Sequence, residues 1–346
     1  MRVLLLLGLA SCASYNTMWN AEQRAKDARS LEQQGQASEA RAQWAQAAAK
    51  AAKVRGDKAL VLRVEALARS GACQDIDEPL AQARASTIHG AQRERVDLAE
   101  AECALAMNDA ARAEAALVDP LRSGNADRRA RAEYVAGRAA MLRQDYEAAV
   151  THFNRAREPD AAGRAFIAEQ RARIARATER DDLTPIATEL SRSLRTMSGT
   201  DEAAHLIDWI TAVQAVPSAA TPSAGARLRV AELARDSLQA PLLAGRLFLE
   251  AAASDTASLF APKALIAATS LLPEQHDSIV ALLDRRYAAS PYARALHGEA
   301  SAAYAAAEDS LARELGMQSL IQRVAPAAGR SDGPSGITGP RGPKLP

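Results

Sequence analysis

Five histidines, His89, His152, His205, His276 and His297, are the residues most able to do chemistry near neutral pH, as metal ligands or proton carriers. No two stand at a metal-sharing spacing, and none belongs to an HExxH pattern. His152, beside Phe153, reads as a surface residue of a helix. Three cysteines, Cys12, Cys73 and Cys103, form no CxxC and no Cys/His spacing of the kind that binds zinc. The adjacent Asp181 and Asp182 resemble a carboxylate pair. They also open a helical segment, where acidic side chains satisfy free N–H groups and the helix dipole, so capping is their expected role. There is no GxSxG, no phosphate loop and no dinucleotide glycine fingerprint. The residues thus offer no nucleophile, no oriented general base, no metal site and no cofactor site. The expectation is a protein that is not an enzyme and has no small-molecule substrate.

The chain has 346 residues, enough for two domains or one long repeat array. Its 43 Lys plus Arg against 42 Asp plus Glu leave it almost neutral, which argues against a nucleic-acid partner. The most basic stretch, "NADRRARAE", is flanked by acidic residues. It reads as a solvated helix face or as a contact for a protein partner. In the second reading Arg128, Arg129 and Arg131 take carboxylates bidentately. Aromatics are only 4% of the chain and alanine, the best helix former, dominates. Strand formers never alternate over a long run, so the chain is expected to be all-α.

Helical punctuation recurs. "LEQQG" ends at Gly35, "LARSG" at Gly71, "LAMND" at Asp109, "MLRQD" at Asp145 and "ATERD" at Asp181, at intervals of 36, 38, 36 and 36. Glycine permits a left-handed helix end and aspartate caps the next helix. The helix after such a turn carries a small–aromatic–small pattern on one face: Ala40, Trp44 and Ala47; Ala149, Phe153 and Ala156; Ala244, Phe248 and Ala251. The best copy, "YVAGRAAMLRQDYEAAVTHFNRAREPD", adds Gly137 for close helix contact. This pattern resembles the tetratricopeptide repeat, a helix–turn–helix of 34 residues. Four or five units are expected between about 18 and 215. The resemblance implies a right-handed superhelical solenoid with a concave face for proteins or peptides.

The chain opens "MRVLLLLGLASCASYN". The apolar run Val3 to Ala10 is less than half of what crosses a bilayer, and it matches a secretory signal instead. Leu9-Ala10-Ser11-Cys12 resembles the lipobox of bacterial lipoproteins. That resemblance implies cleavage after residue 11, a lipid on Cys12 and a short tether over 12–17. Ala13 is not aspartate, which in enteric-type sorting favours the periplasmic face of the outer membrane over that of the inner membrane. In such an oxidising compartment Cys73 and Cys103 could pair, or they could be two buried free thiols.

"VPSAATPSAG" (216–225) reads as a linker, and helical patterning resumes over about 226–320. Lys263-Ala264-Leu265 and Arg294-Ala295-Leu296 stand 31 apart, with Pro262 and Pro291 at helix starts. With Ser290-Pro291-Tyr292, these resemble the repeats of lipid-anchored outer-membrane assembly lipoproteins of the barrel-assembly machinery. The likeness spans roughly 226–297. The Gly/Pro-rich segment 325–346 cannot bury a core and is expected to be disordered. The function this supports is a lipid-anchored periplasmic scaffold for envelope proteins, in outer-membrane protein assembly or, alternatively, as an accessory subunit or activator of another membrane or cell-wall complex.

Overall fold

The computed structural model describes residues 2–157, 163–194, 200–215, 223–254, 259–299 and 302–315, with side chains from Tyr15 onward and Thr200 excepted. The side chain of Cys12, most of the 216–225 segment and the whole of 325–346 lie outside the described residues. Among the described residues there are seventeen α-helices and no strand. Each of the first ten packs on the next as part of a hairpin: α1 (Arg2–Gln33) with α2 (Ala37–Ala51), α3 (Asp57–Ser70) with α4 (Asp77–Ala85), α5 (Ala91–Ala106) with α6 (Ala110–Ala116), α7 (Ala126–Leu142) with α8 (Tyr146–Ala156), and α9 (Arg164–Arg176) with α10 (Leu183–Ser193). Residues 12–17, expected to be a tether, continue α1 without a break.

The hairpin turn is one device used repeatedly. Gly35, Gly71, Asn108 and Gln144 each adopt positive φ. The following N–H then reaches back five residues: Gln36 to the Leu31 carbonyl, Ala72 to Leu67, Asp109 to Ala104 and Asp145 to Ala140, all at 2.9–3.0 Å. This is the helix ending that satisfies otherwise orphaned carbonyls. Where glycine is replaced by Asn108 or Gln144, the next residue is an aspartate whose carboxylate accepts the N–H of Arg112 or Ala148. Counting the left-handed residue corrects the uneven spacing read from the sequence, because Asp109 and Asp145 stand one place after it. The fifth turn differs. Asp182, not Asp181, accepts the N–H groups of Thr178 and Glu179 at 2.9 and 3.0 Å, and these two bonds lower its pKa. Of the two carboxylates Asp182 caps, in a reciprocal box with Glu179, and Asp181 does not.

Seven second helices share one buried register. The pairs Ala40/Trp44, Ile76/Leu80, Ala113/Leu117, Ala149/Phe153, Ile186/Leu190, Ala244/Phe248 and Ile279/Leu283 are all buried. The last two lie on α13 (Pro241–Ser254) and α15 (His276–Tyr287), which follow α12 (Ala224–Asp236) and α14 (Phe260–Leu271). The first five recur every 36 or 37 residues, and the last two stand 35 apart. The interval from Ile186 to Ala244 is 58, and the excess holds an added helix, α11 (Thr200–Ala215), between α10 and α12. The helices α16 (Pro291–Leu296) and α17 (Ala302–Glu314) close the array over Tyr292, whose ring meets Tyr304 edge-on at 5.4 Å. Ser223 caps α12, so the linker expected to reach 225 ends inside a helix. Pro291 opens α16 as expected, and Pro262 lies in the first turn of α14.

Gly137 explains itself at one contact. A Cβ there would lie 2.6–2.9 Å from the ring carbons of Phe153, closer than packed atoms allow. Phe153 is buried among Ala140, Ala149 and Ala172, so the ring has nowhere to retreat. Truncating it with Phe153→Ala is expected to cost about 3–5 kcal/mol, with Trp44→Ala and Phe248→Ala alike. Gly137→Ala gains up to about 1 kcal/mol of helix propensity, yet a net loss of about 1–2 kcal/mol is expected, because overpacking costs about 1–3. Urea melts of Gly137→Ala, Phe153→Leu and the double variant check the contact. The double variant should be more stable than the sum of the single losses predicts.

Candidate binding groove on the first helices

One cavity of about 650 Å³ is lined mainly by the first helices of the five N-terminal hairpins, α1, α3, α5, α7 and α9. Ala68, Ala106 and Ala130 leave room on its walls, and Tyr134 adds a ring that sits 5.6 Å from that of Phe153. Such a volume lies within the range of ligand-binding clefts.

A ladder of charges runs behind the cavity from hairpin to hairpin. Glu32 on α1 accepts the indole N–H of the fully buried Trp44 at 2.9 Å and a guanidinium N–H of Arg69 on α3 at 2.8 Å. Arg69 also stacks over the Trp44 ring at 4.8 Å, and Arg29 does so at 5.2 Å. Glu65 on α3 receives Arg95 from α5, Arg29 from α1 at 3.2 Å and Arg69 at 3.9 Å. Arg131 on α7 donates to Glu102 on α5 and lies 3.9 Å from Glu32. Burial alone would raise the Glu65 carboxyl, but Arg95, Arg69 and Arg29 together hold it at about 2. Burial, joined by the neighbouring charge of Arg131, pushes Arg69 down to about 10 against the pull of Glu32, Glu65 and Glu102. Burial also works against Arg131, and Glu102 outweighs it, so its proton is held more firmly than usual.

The three arginines expected to meet a partner are occupied. Arg128 donates to Glu94 at 2.6 Å and to the Ser123 hydroxyl at 3.1 Å. Arg129 donates to the Ser123 carbonyl at 2.8 Å. Arg131 belongs to the ladder. Arg128 and Arg131 thus donate to glutamates one hairpin back, and Arg129 to the turn that precedes its own helix. Two other arginines lining the same cavity, Arg41 and Arg138, are exposed and make no side-chain hydrogen bond or ion pair among the described residues. Asp127 lines it as well, and in all six arginines face three carboxylates there.

Cys73, on the short 3₁₀ turn Cys73–Asp75, lines the cavity and is bonded to Cys103 on α5, with Cα atoms 5.2 Å apart. The sequence left pairing and free thiols open; the structure joins them and ties the second hairpin to the third. His152 is half-buried rather than fully at the surface, with Nδ1 2.6 Å from Glu133. Among the described residues no group of three His, Cys, Asp or Glu is placed to hold a metal. None of their helices is long and apolar enough to cross a membrane.

The ladder was missed in the sequence, although a signal was present. Arg29 and Glu65 stand 36 residues apart, Glu32 and Arg69 37 apart, so opposite charges recur one hairpin apart on successive first helices. Compared with models of protein families, with curated proteins and with solved structures, the chain matches none.

Glu65 carries a pH dependence. Its folded pKa lies below the ordinary value of 4.5, so its contribution to stability is complete above about pH 4.5 and disappears as pH falls towards 2. A shift of that size corresponds to about 3 kcal/mol. Glu65→Gln is expected to lose about that much at pH 7. Acid titrations of melting temperature should show the difference from the unaltered protein shrinking between pH 4.5 and 2.

Proposed function

We propose that this chain is a lipid-anchored periplasmic scaffold whose hairpins wind into a right-handed tetratricopeptide-like superhelix, and that its groove takes an acidic segment of a protein partner. The observation that carries this reading is the cavity shared by five successive first helices. Its wall charges are largely spent on one another, while Arg41 and Arg138 remain exposed and unpaired. An extended segment bearing carboxylates suits it in size and in charge, and guanidinium forks bind carboxylates with two parallel bonds. The lipobox-like Leu9-Ala10-Ser11-Cys12 supports attachment at Cys12, and the resemblance of 226–297 to barrel-assembly lipoproteins supports outer-membrane protein assembly as the setting. No catalytic step is assigned to the chain.

Two measurements test the reading. Affinity capture from crosslinked membranes should recover an envelope partner, and Arg41→Glu with Arg138→Glu should lower that recovery at least tenfold, since each charged hydrogen bond is worth about 1.5–3 kcal/mol. Helicity should be unchanged. Recovery that is undiminished removes the groove from the contact. Separately, labelled fatty acid should be incorporated by the unaltered chain and not by Cys12→Ser. Labelling retained in Cys12→Ser excludes this cysteine as the anchor.

A further inference from the structure

Among the described residues, five large apolar side chains are conspicuously exposed, and two of them, Tyr15 and Trp19, stand four residues apart on α1 at 76% and 50% exposure. That spacing puts both on one face of the helix. The core face of the same helix is already filled: Ala21, Ala25 and Ala28 are buried against Trp44 and its neighbours, and Met18 packs beside them. The aromatic pair is therefore not part of the hairpin core. Neither the Tyr15 hydroxyl nor the Trp19 indole N–H makes a hydrogen bond among the described residues. From Tyr15 to Ala21 the chain carries no charge, and Asn16 and Asn20 bond each other at 3.2 Å.

We infer that Tyr15 and Trp19 rest in the headgroup layer of the bilayer and hold α1 against the membrane surface. This rests on the proposed anchor at Cys12. Helical rise is about 1.5 Å per residue, which sets Tyr15 about 4.5 Å and Trp19 about 10 Å beyond Cys12 along the axis. The interfacial layer is about 5–10 Å deep, so an α1 that leans on the surface from an acylated Cys12 keeps both rings within it. Rings with an apolar body and a polar edge favour that layer, and from Tyr15 to Ala21 no ion has to be dehydrated there; Glu22, the first charge, stands nearly a turn further from the anchor than Trp19. The lipid surface is the occupant to which length, chemistry and position all point, and a second hold of this kind orients a lipoprotein that acyl chains alone would leave free to tilt.

The test uses the acylated full-length chain in vesicles of phosphatidylethanolamine and phosphatidylglycerol carrying brominated acyl chains. Trp44 is fully buried and Trp209 packs partly against the core, so Trp19 is the indole that lipid can reach. The bromines should quench part of the tryptophan emission, and that quenched part should vanish in Trp19→Gln. Floating of Trp19→Gln with the vesicles should persist, because the lipid remains. If the acylated chain floats but quenching is the same in Trp19→Gln, or aqueous iodide reaches Trp19 instead, the rings face solvent or a protein and the inference is overturned while the anchor stands. If the acylated chain does not float at all, the anchor fails and the inference falls with it.

Discussion

The fold depends on a steric bargain struck once in every hairpin, where a first helix crosses its second. Eight residues before each turn-following position stands a buried residue: Ala28, Val64, Ala101, Gly137 and Ile174. Eight residues after it stand Trp44, Leu80, Leu117, Phe153 and Leu190. The two sets compensate. The largest rings face Gly137 and Ala28, and the leucines share their cores with Ala101, Val64 and Ile174. Interiors tolerate little change in volume, so each hairpin keeps its own crossing distance by trading bulk between helices. An alanine-rich chain with few aromatics can build five hairpins because a crossing is filled either by one large side chain against glycine or alanine or by aliphatic side chains on both helices.

Once the hairpins are fixed, the first helices are brought side by side, and the cost of placing arginines and glutamates there becomes decisive. Burying a charge without a partner is prohibitive, and pairing it across to the next hairpin removes that penalty. Arg29–Glu65, Arg69–Glu32, Arg95–Glu65, Arg128–Glu94 and Arg131–Glu102 all do this. These pairs also fix the register of each hairpin on the last, since a shift of one residue would set the forks against the wrong carboxylates. The same spending of charge decides what the groove can offer. Arg128, Arg129 and Arg131 each donate within the chain, whereas Arg41 and Arg138 keep all their donors free among the described residues.

The two ends of the chain are organised differently. In the first four hairpins the apolar residues form separate small cores. From Phe166 onward one core runs through to Leu315, and α11 is built into it. Arg180 reaches Glu250 on α13 and Arg246 reaches Glu179, so the fifth hairpin is tied to the helices that follow α11. The inserted helix therefore does not end the array, even though it breaks the interval.

The sequence by itself determined the helical character, the place of the hairpin turns to within a residue and the buried face of the three second helices that carry a ring, those of Trp44, Phe153 and Phe248. Each of these is local: a left-handed turn residue, an aspartate cap and a face repeating every three or four residues can be read within about twenty positions. Gly137, Trp44, Phe153 and Phe248 were legible for that reason. What only the tertiary structure decided was the partner of each charge and each thiol. Cys73 and Cys103 lie 30 apart, and Arg131 lies 29 from Glu102 and 99 from Glu32. Whether such residues meet depends on how far each hairpin rotates on the last, a quantity set by side-chain volumes at the crossings, which no short stretch of residues displays.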